Sequence, residues 1–334
     1  MHFSRAALLA AATATNAQRP TDTPICDYYT TALLKNNTAD NQATLLTLIV
    51  NTVVIGNYTT PNVGVQVPGI LAPGQYMGED VNLLPYFNGG LASSNRGGSS
   101  GVSVNFLDDG GAEPLMNNKP ANTNSSKQYF LLTHLYQFFG SLLGCSMQGM
   151  AGFDAYTGHA SMYDVHKFMD LDSAEVGYFI NQVALAAASF GVAQDDISAV
   201  GTALTSLFDV RCAPPTTAIM AQGPQLQSIC IAEDCPLAPN STCSSYEPAV
   251  EPVSASSSML ATASSTPNPE GNSTTATSST TSASPMYPTV SGTTTANATS
   301  SMTSSSPTMV ATAGAATNGL GIAAAAAGLA ALLL

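Results

Sequence analysis

The sequence predicts a mainly α-helical domain followed by a stalk that cannot fold. Long segments carry apolar residues at three- and four-residue steps, at Lys127–Leu143, after Asp172 and after Asp195. From Pro252 to about Met309 the chain is Ser, Thr, Pro and Ala, with too few large apolar residues to bury a core. Only 9% of the 334 residues are charged, and the net charge of −13 disfavours nucleic acid or anionic lipid as a partner.

The N-terminus, MHFSRAALLAAATATNA, has Arg5 as a positive flank, a short apolar run and small residues at Thr15-Asn16-Ala17. This is the pattern of a secretory signal peptide over residues 1–17. Gln42–Tyr58 is apolar almost throughout and reads as a buried helix broken only by Asn51. Pro61, Pro68 and Pro73 make Thr59–Gly74 a loop, and Val81–Phe87 is a short helix or turn. Asn88–Ser126 is a long Gly/Asn/Ser-rich loop, expected to be a lid or an insertion.

Lys127–Leu143 is the first strong helix, with Leu131, Leu135, Phe138, Phe139 and Leu142 on its apolar face. Asp172 and Glu175 form a capping box for the next, whose stripe runs Val176, Phe179, Ile180, Val183, Ala187 and Phe190 before Gly191 ends it. Asp195 and Asp196 open a last helix that reaches toward Cys212. The helical domain is thus expected over residues 18–213, a cysteine-containing coda over 214–251 and the stalk over 252–312. Residues 313–334 pair small residues with a short apolar tail, the pattern of a glycosylphosphatidylinositol attachment signal. The alternative, a membrane helix, would be short and would lack a basic cytoplasmic flank.

Six cysteines, Cys26, Cys145, Cys212, Cys230, Cys235 and Cys243, fit an oxidising compartment and are expected to pair, in one of fifteen connectivities. At least one bridge should staple the coda. Sequons begin at Asn36, Asn57, Asn124, Asn240, Asn272 and Asn297.

After signal removal the histidines are His134, His159 and His166, all between the start of one amphipathic helix and the start of the next. A haem site needs a neutral imidazole for the iron and an apolar slot for the macrocycle. A three-histidine zinc site is the alternative, although His159 and His166 are separated by a turn. His159 reads as a surface residue. G-x-S-x-G, HExxH and Walker A motifs are absent, and Asp108-Asp109 reads as a solvated turn.

Tyr156, Gly158, Met162, Val165 and His166, with Phe179 and Gly191-Val192 downstream, follow the spacing YTG-x-x-x-M-x-x-V-H and resemble the truncated haemoglobins, group I especially. Phe138, Phe139, Leu143 and Gly144 resemble the end of that family's distal helix, and Leu83–Gly90 the segment before it. The resemblance implies a truncated-globin-like domain with long loop insertions that binds haem b. His166 would be the proximal iron ligand and His134 a distal candidate. Leu131, Leu135, Phe138, Tyr156, Met162, Val165, Phe179 and Val183 would line the pocket. It further implies oxygen or nitric oxide binding, to which a surface location adds haem capture. No distal Arg-His pair supports a peroxidase. The rival expectation is a cofactor-free structural or adhesive wall glycoprotein on the same fold.

Overall fold

A computed structural model describes residues 18–59 and 62–255. The expected signal segment, the attachment signal, Asn272, Asn297 and nearly all of the stalk lie outside the described residues. Within them the chain is mainly helical. No described helix is long and apolar enough to cross a membrane.

The chain begins with α1 (Ile25–Leu34) and α2 (Ala39–Ile55), the latter capped by Thr38, whose hydroxyl accepts from the Asn41 amide. A hairpin of β1 (Gly74–Tyr76) and β2 (Glu79–Val81) and the single turn α3 (Leu84–Phe87) follow. The expected long loop contains α4 (Ala112–Met116). Then come α5 (Lys127–Leu142), α6 (Met162–His166), α7 (Ser173–Ser189) and α8 (Gln194–Phe208). The capping box at Asp172 and Glu175 is present, with both reciprocal hydrogen bonds made.

α2 is the centre of the domain, packing against α1, α5 and α7, while α7 also packs on α8. That explains its nearly unbroken apolar sequence: Leu45, Leu46, Val50, Val53 and Val54 are buried on several sides. Asn51, its polar break, is fully buried. Its amide donates to Leu115 O at 3.1 Å and its carbonyl accepts from Tyr136 OH at 2.6 Å, joining α2 to α4 and α5.

The hairpin turns at Met77 and Gly78, whose φ values of 52° and 92° are those of a type I′ turn. It lies on α7, where Gly177 leaves room for the Tyr76 ring and Gly74 leaves room for Tyr178; a Cβ at either glycine would overlap the facing ring.

Buried glutamines hold the irregular segments. Gln128 accepts from the amides of Asp109 and Gly111 at 3.3 and 2.9 Å and donates to Gly111 O and Pro120 O at 2.9 and 3.1 Å. All four of its hydrogen-bonding positions therefore serve the loop before α5. Gln42 does the same around α1, donating to Asp27 and Asn37 at 2.7 Å each and accepting from the Met147 amide at 3.0 Å. Such side chains replace the secondary-structure ladders that loops lack.

All six cysteines pair, as Cys26–Cys145, Cys212–Cys243 and Cys230–Cys235. The last lies within the coda and the second ties the coda to the end of α8. Pairing also runs beyond the expected domain end: Ala92 N donates to Val253 O at 2.9 Å and Ala255 N to Gly90 O at 3.0 Å. Residues 253–255 are thus held on the 88–106 loop. Of the described sequons, Asn36, Asn124 and Asn240 are exposed and Asn57 is partly so.

Candidate functional site

His166 is the last residue of α6, a helix too short to stand alone. Ser161 starts it by accepting from the Asp164 amide at 3.1 Å. The preceding Tyr-x-Gly turn has a steric logic. The Tyr156 ring lies over Gly158, where any Cβ would overlap it, and Tyr156 OH closes the turn on His159 O at 2.9 Å. Burial pushes the Tyr156 phenol up to about 12.

The coda clamps α6 from outside. Ser161 Oγ donates to Leu226 O at 2.8 Å, and Gln227 accepts from the Met162 amide at 3.3 Å. Tyr163 accepts from the Glu247 amide at 2.7 Å and meets the Tyr246 ring edge-on at 4.6 Å. Lys167 bonds both carboxylate oxygens of Glu247 at 3.2 Å. On the inner side Asn95 donates to Asp164 O at 3.1 Å, so the 88–106 loop also abuts this short helix.

Within this clamp the His166 Nδ1 lies 2.7 Å from Met162 O. A carbonyl only accepts, so Nδ1 carries the proton and, in the neutral ring, Nε2 carries the lone pair. Burial lowers the His166 pKa, partly opposed by the Met162 carbonyl, and so favours the neutral ring. Among the described residues Nε2 has no hydrogen-bond partner. An imidazole fixed through Nδ1, with Nε2 unengaged, has the donor chemistry that an axial iron ligand requires.

His134 repeats the arrangement on α5, its Nδ1 lying 2.7 Å from Phe130 O. It is partly exposed and stacks at 3.9 Å on Phe130, which is 48% exposed. Arg96 lies over the same Phe130 ring at 4.5 Å. The other His134 neighbour is Tyr156, whose ring is 6.1 Å away and which in turn packs on Phe138 at 5.5 Å.

The structure therefore brings His134, Phe138 and Tyr156 together and joins His166 to Met162. Leu131, Leu135, Val165 and Phe179 pack against the core yet stay partly exposed, so protein does not cover them completely. Phe179 meets Phe139 at 6.5 Å. Val183 is buried and lines a cavity whose wall does not include His166. His159 is exposed. Among the described residues no group of three or more His, Cys, Asp or Glu is arranged to hold a metal ion.

The closely spaced carboxylates have ordinary structural work. Asp109 accepts from the Thr123 amide and hydroxyl, and Asp108 from the Gln128 amide, at 2.6, 2.8 and 3.0 Å. The contribution of the coda to α6 had no local signature in the sequence, because its contacts cross from residue 161 to 226 and from 163 to 247. Compared with known protein families, curated proteins and solved structures, the chain matches none.

Proposed function

We propose that this is a secreted, surface-anchored protein that binds haem b through Nε2 of His166. The observation that carries the reading is the fixed tautomer of a partly exposed imidazole: Nδ1 is held by Met162 O, which leaves the Nε2 lone pair to coordinate. The partly uncovered Leu131, Leu135, Val165 and Phe179 would supply apolar surface for a macrocycle, together with Phe138, Tyr156 and Met162. Bound haem would supply a redox-active iron able to hold oxygen or nitric oxide. The chain's part is to fix the imidazole tautomer and to exclude water from the metal. A truncated-globin-like fold, the lipid anchor and the glycosylated stalk belong to the same proposal and rest on the sequence resemblances above.

The test is a hemin titration of the secreted protein followed in the Soret band. Saturable binding with a shifted band that His166→Ala removes is the expected result. No shift, or one indifferent to His166→Ala, overturns it. His134 enters as a second axial ligand if the reduced protein shows sharp low-spin bands that His134→Ala abolishes. A second reading, a cofactor-free structural or adhesive wall protein, draws on the dense clamp that the coda builds around α6. It predicts that hemin leaves the protein unchanged.

A further inference from the structure

α1, α2, α5, α7 and α8 enclose a pocket of about 50 Å³, lined almost wholly by apolar carbon, with none of His134, His159 and His166 in its wall. Its floor is the buried Leu46, Val50 and Leu204, and its rim includes the partly exposed Ala184, Ala187 and Gly201. Gly201 is unusual among the helical glycines. Gly140 and Gly177 each receive a ring, from Phe153 and Tyr76, whereas a Cβ at Gly201 would meet nothing within 4 Å. A glycine inside a helix disfavours the helix relative to alanine, and here no crossing neighbour requires it. What its missing side chain does is leave the pocket open.

The polar groups beside this pocket are already satisfied. Asp196 accepts from Arg19 at 3.0 Å and from Tyr29 OH at 2.8 Å, and Tyr29 OH accepts from the Ala193 amide at 2.9 Å. The Arg19 guanidinium also donates to Pro20 O and Thr23 O. Water inside would find almost no partner, so an apolar group that displaces it loses no hydrogen bond. The volume is well below the roughly 150 Å³ of a cavity that takes a benzene ring. Small, apolar and lined in part by Ala184, Ala187 and Gly201, the pocket suits the end of a chain rather than a ring.

We propose that this pocket is a binding site for the methyl end of a neutral aliphatic chain, entering past Gly201 and Ala184. The site is independent of haem, since His166 takes no part in its wall.

The experiment titrates the intact secreted protein with 1-butanol and 1-hexanol and follows the methyl NMR signals of Ile49, Ile180 and Ala184. Saturable shifts at these methyls, tighter for the longer alkanol and unchanged in His166→Ala, are expected. Gly201→Leu, which fills the entrance from the same helix, should weaken binding about tenfold, the worth of about two buried methylene groups. Gly201→Ala should retain binding. Should Gly201→Leu fold poorly, Ala184→Leu tests the same entrance from α7. Absence of saturable shifts in the unmodified protein overturns the proposal, as does binding that survives both leucine variants.

Discussion

Removing the Cys26–Cys145 bridge, by the paired substitution Cys26→Ala and Cys145→Ala, should cost more stability than removing either other disulfide, most clearly Cys230–Cys235. The bridge joins the first turn of α1 to the chain just after α5, across a sequence separation of 119 residues. A cross-link raises stability chiefly by restricting the unfolded chain, and the effect grows with the logarithm of the closed loop. For a separation of 119 the loop relation gives about 4.9 kcal/mol, for the 31 of Cys212–Cys243 about 3.7, and for the 5 of Cys230–Cys235 about 2.1. Cys26, Cys145, Cys230 and Cys235 are all buried, so the packing lost with the sulfur is similar in the first and last pairs. At about 2–4 °C per kcal/mol for a domain of this size, the first double variant should melt about 10–20 °C lower. Urea and thermal denaturation of the three double variants, read by circular dichroism, give the order. A Cys26→Ala/Cys145→Ala variant no less stable than Cys230→Ala/Cys235→Ala would refute the loop-entropy reasoning. It would instead mean that the unfolded chain is already compact around α1 and α5.

Acidification and buried amides provide two further tests. Burial, more than any neighbour, raises the pKa of Glu175, which caps α7 and accepts from Tyr86 OH at 3.0 Å. Its folded pKa lies above its unfolded one, so the folded state binds that proton more tightly and stability rises as pH falls through the folded value. Glu175→Gln keeps an acceptor but cannot titrate; as the pH falls from neutral toward the ordinary glutamate value, the unmodified protein should therefore gain melting temperature relative to the variant. A gap that stays constant or moves the other way rejects the assignment. Gln128→Leu should destabilise by about 3 kcal/mol or more, because the Asp109 and Gly111 amides and two carbonyls lose their shared partner. Equilibrium urea unfolding measures this, and a loss below about 1 kcal/mol would mean that water replaces the glutamine.

Signals carried by neighbouring residues match several helices, although Val81, expected in a short helix or turn, ends the strand β2. The 3.6-residue recurrence of Leu131, Leu135, Phe138 and Leu142 marks α5, which spans Lys127–Leu142, one residue short of the expected end. Asp172 and Glu175 mark the start of α7, and Asp195–Asp196 lie in the first turn of α8. These signals depend on neighbours within about one turn of chain, so no tertiary information is needed. α1 had no comparable signal: it is short, starts after a proline with no side-chain cap, and is held by Cys26 and Tyr29. The hairpin lies between the expected loop, which ends at Gly74, and the expected short helix or turn, which begins at Val81; strands of three residues are too short to show alternation.

The same division runs through the candidate site. The sequence by itself determined the helical class, the oxidised cysteines and the position of His166 between a Tyr-x-Gly turn and the capped start of α7. Only the tertiary structure decided which cysteines pair, that Gln227, Tyr246 and Glu247 brace that short helix, and that Arg19 reaches Asp196. It also assigned Val183 to the aliphatic pocket's wall and His134 to a stack with Phe130. The reason is the range of the interactions: caps and helical faces are chosen by residues a turn apart, whereas partners such as Cys26 with Cys145 meet only when the whole chain has packed.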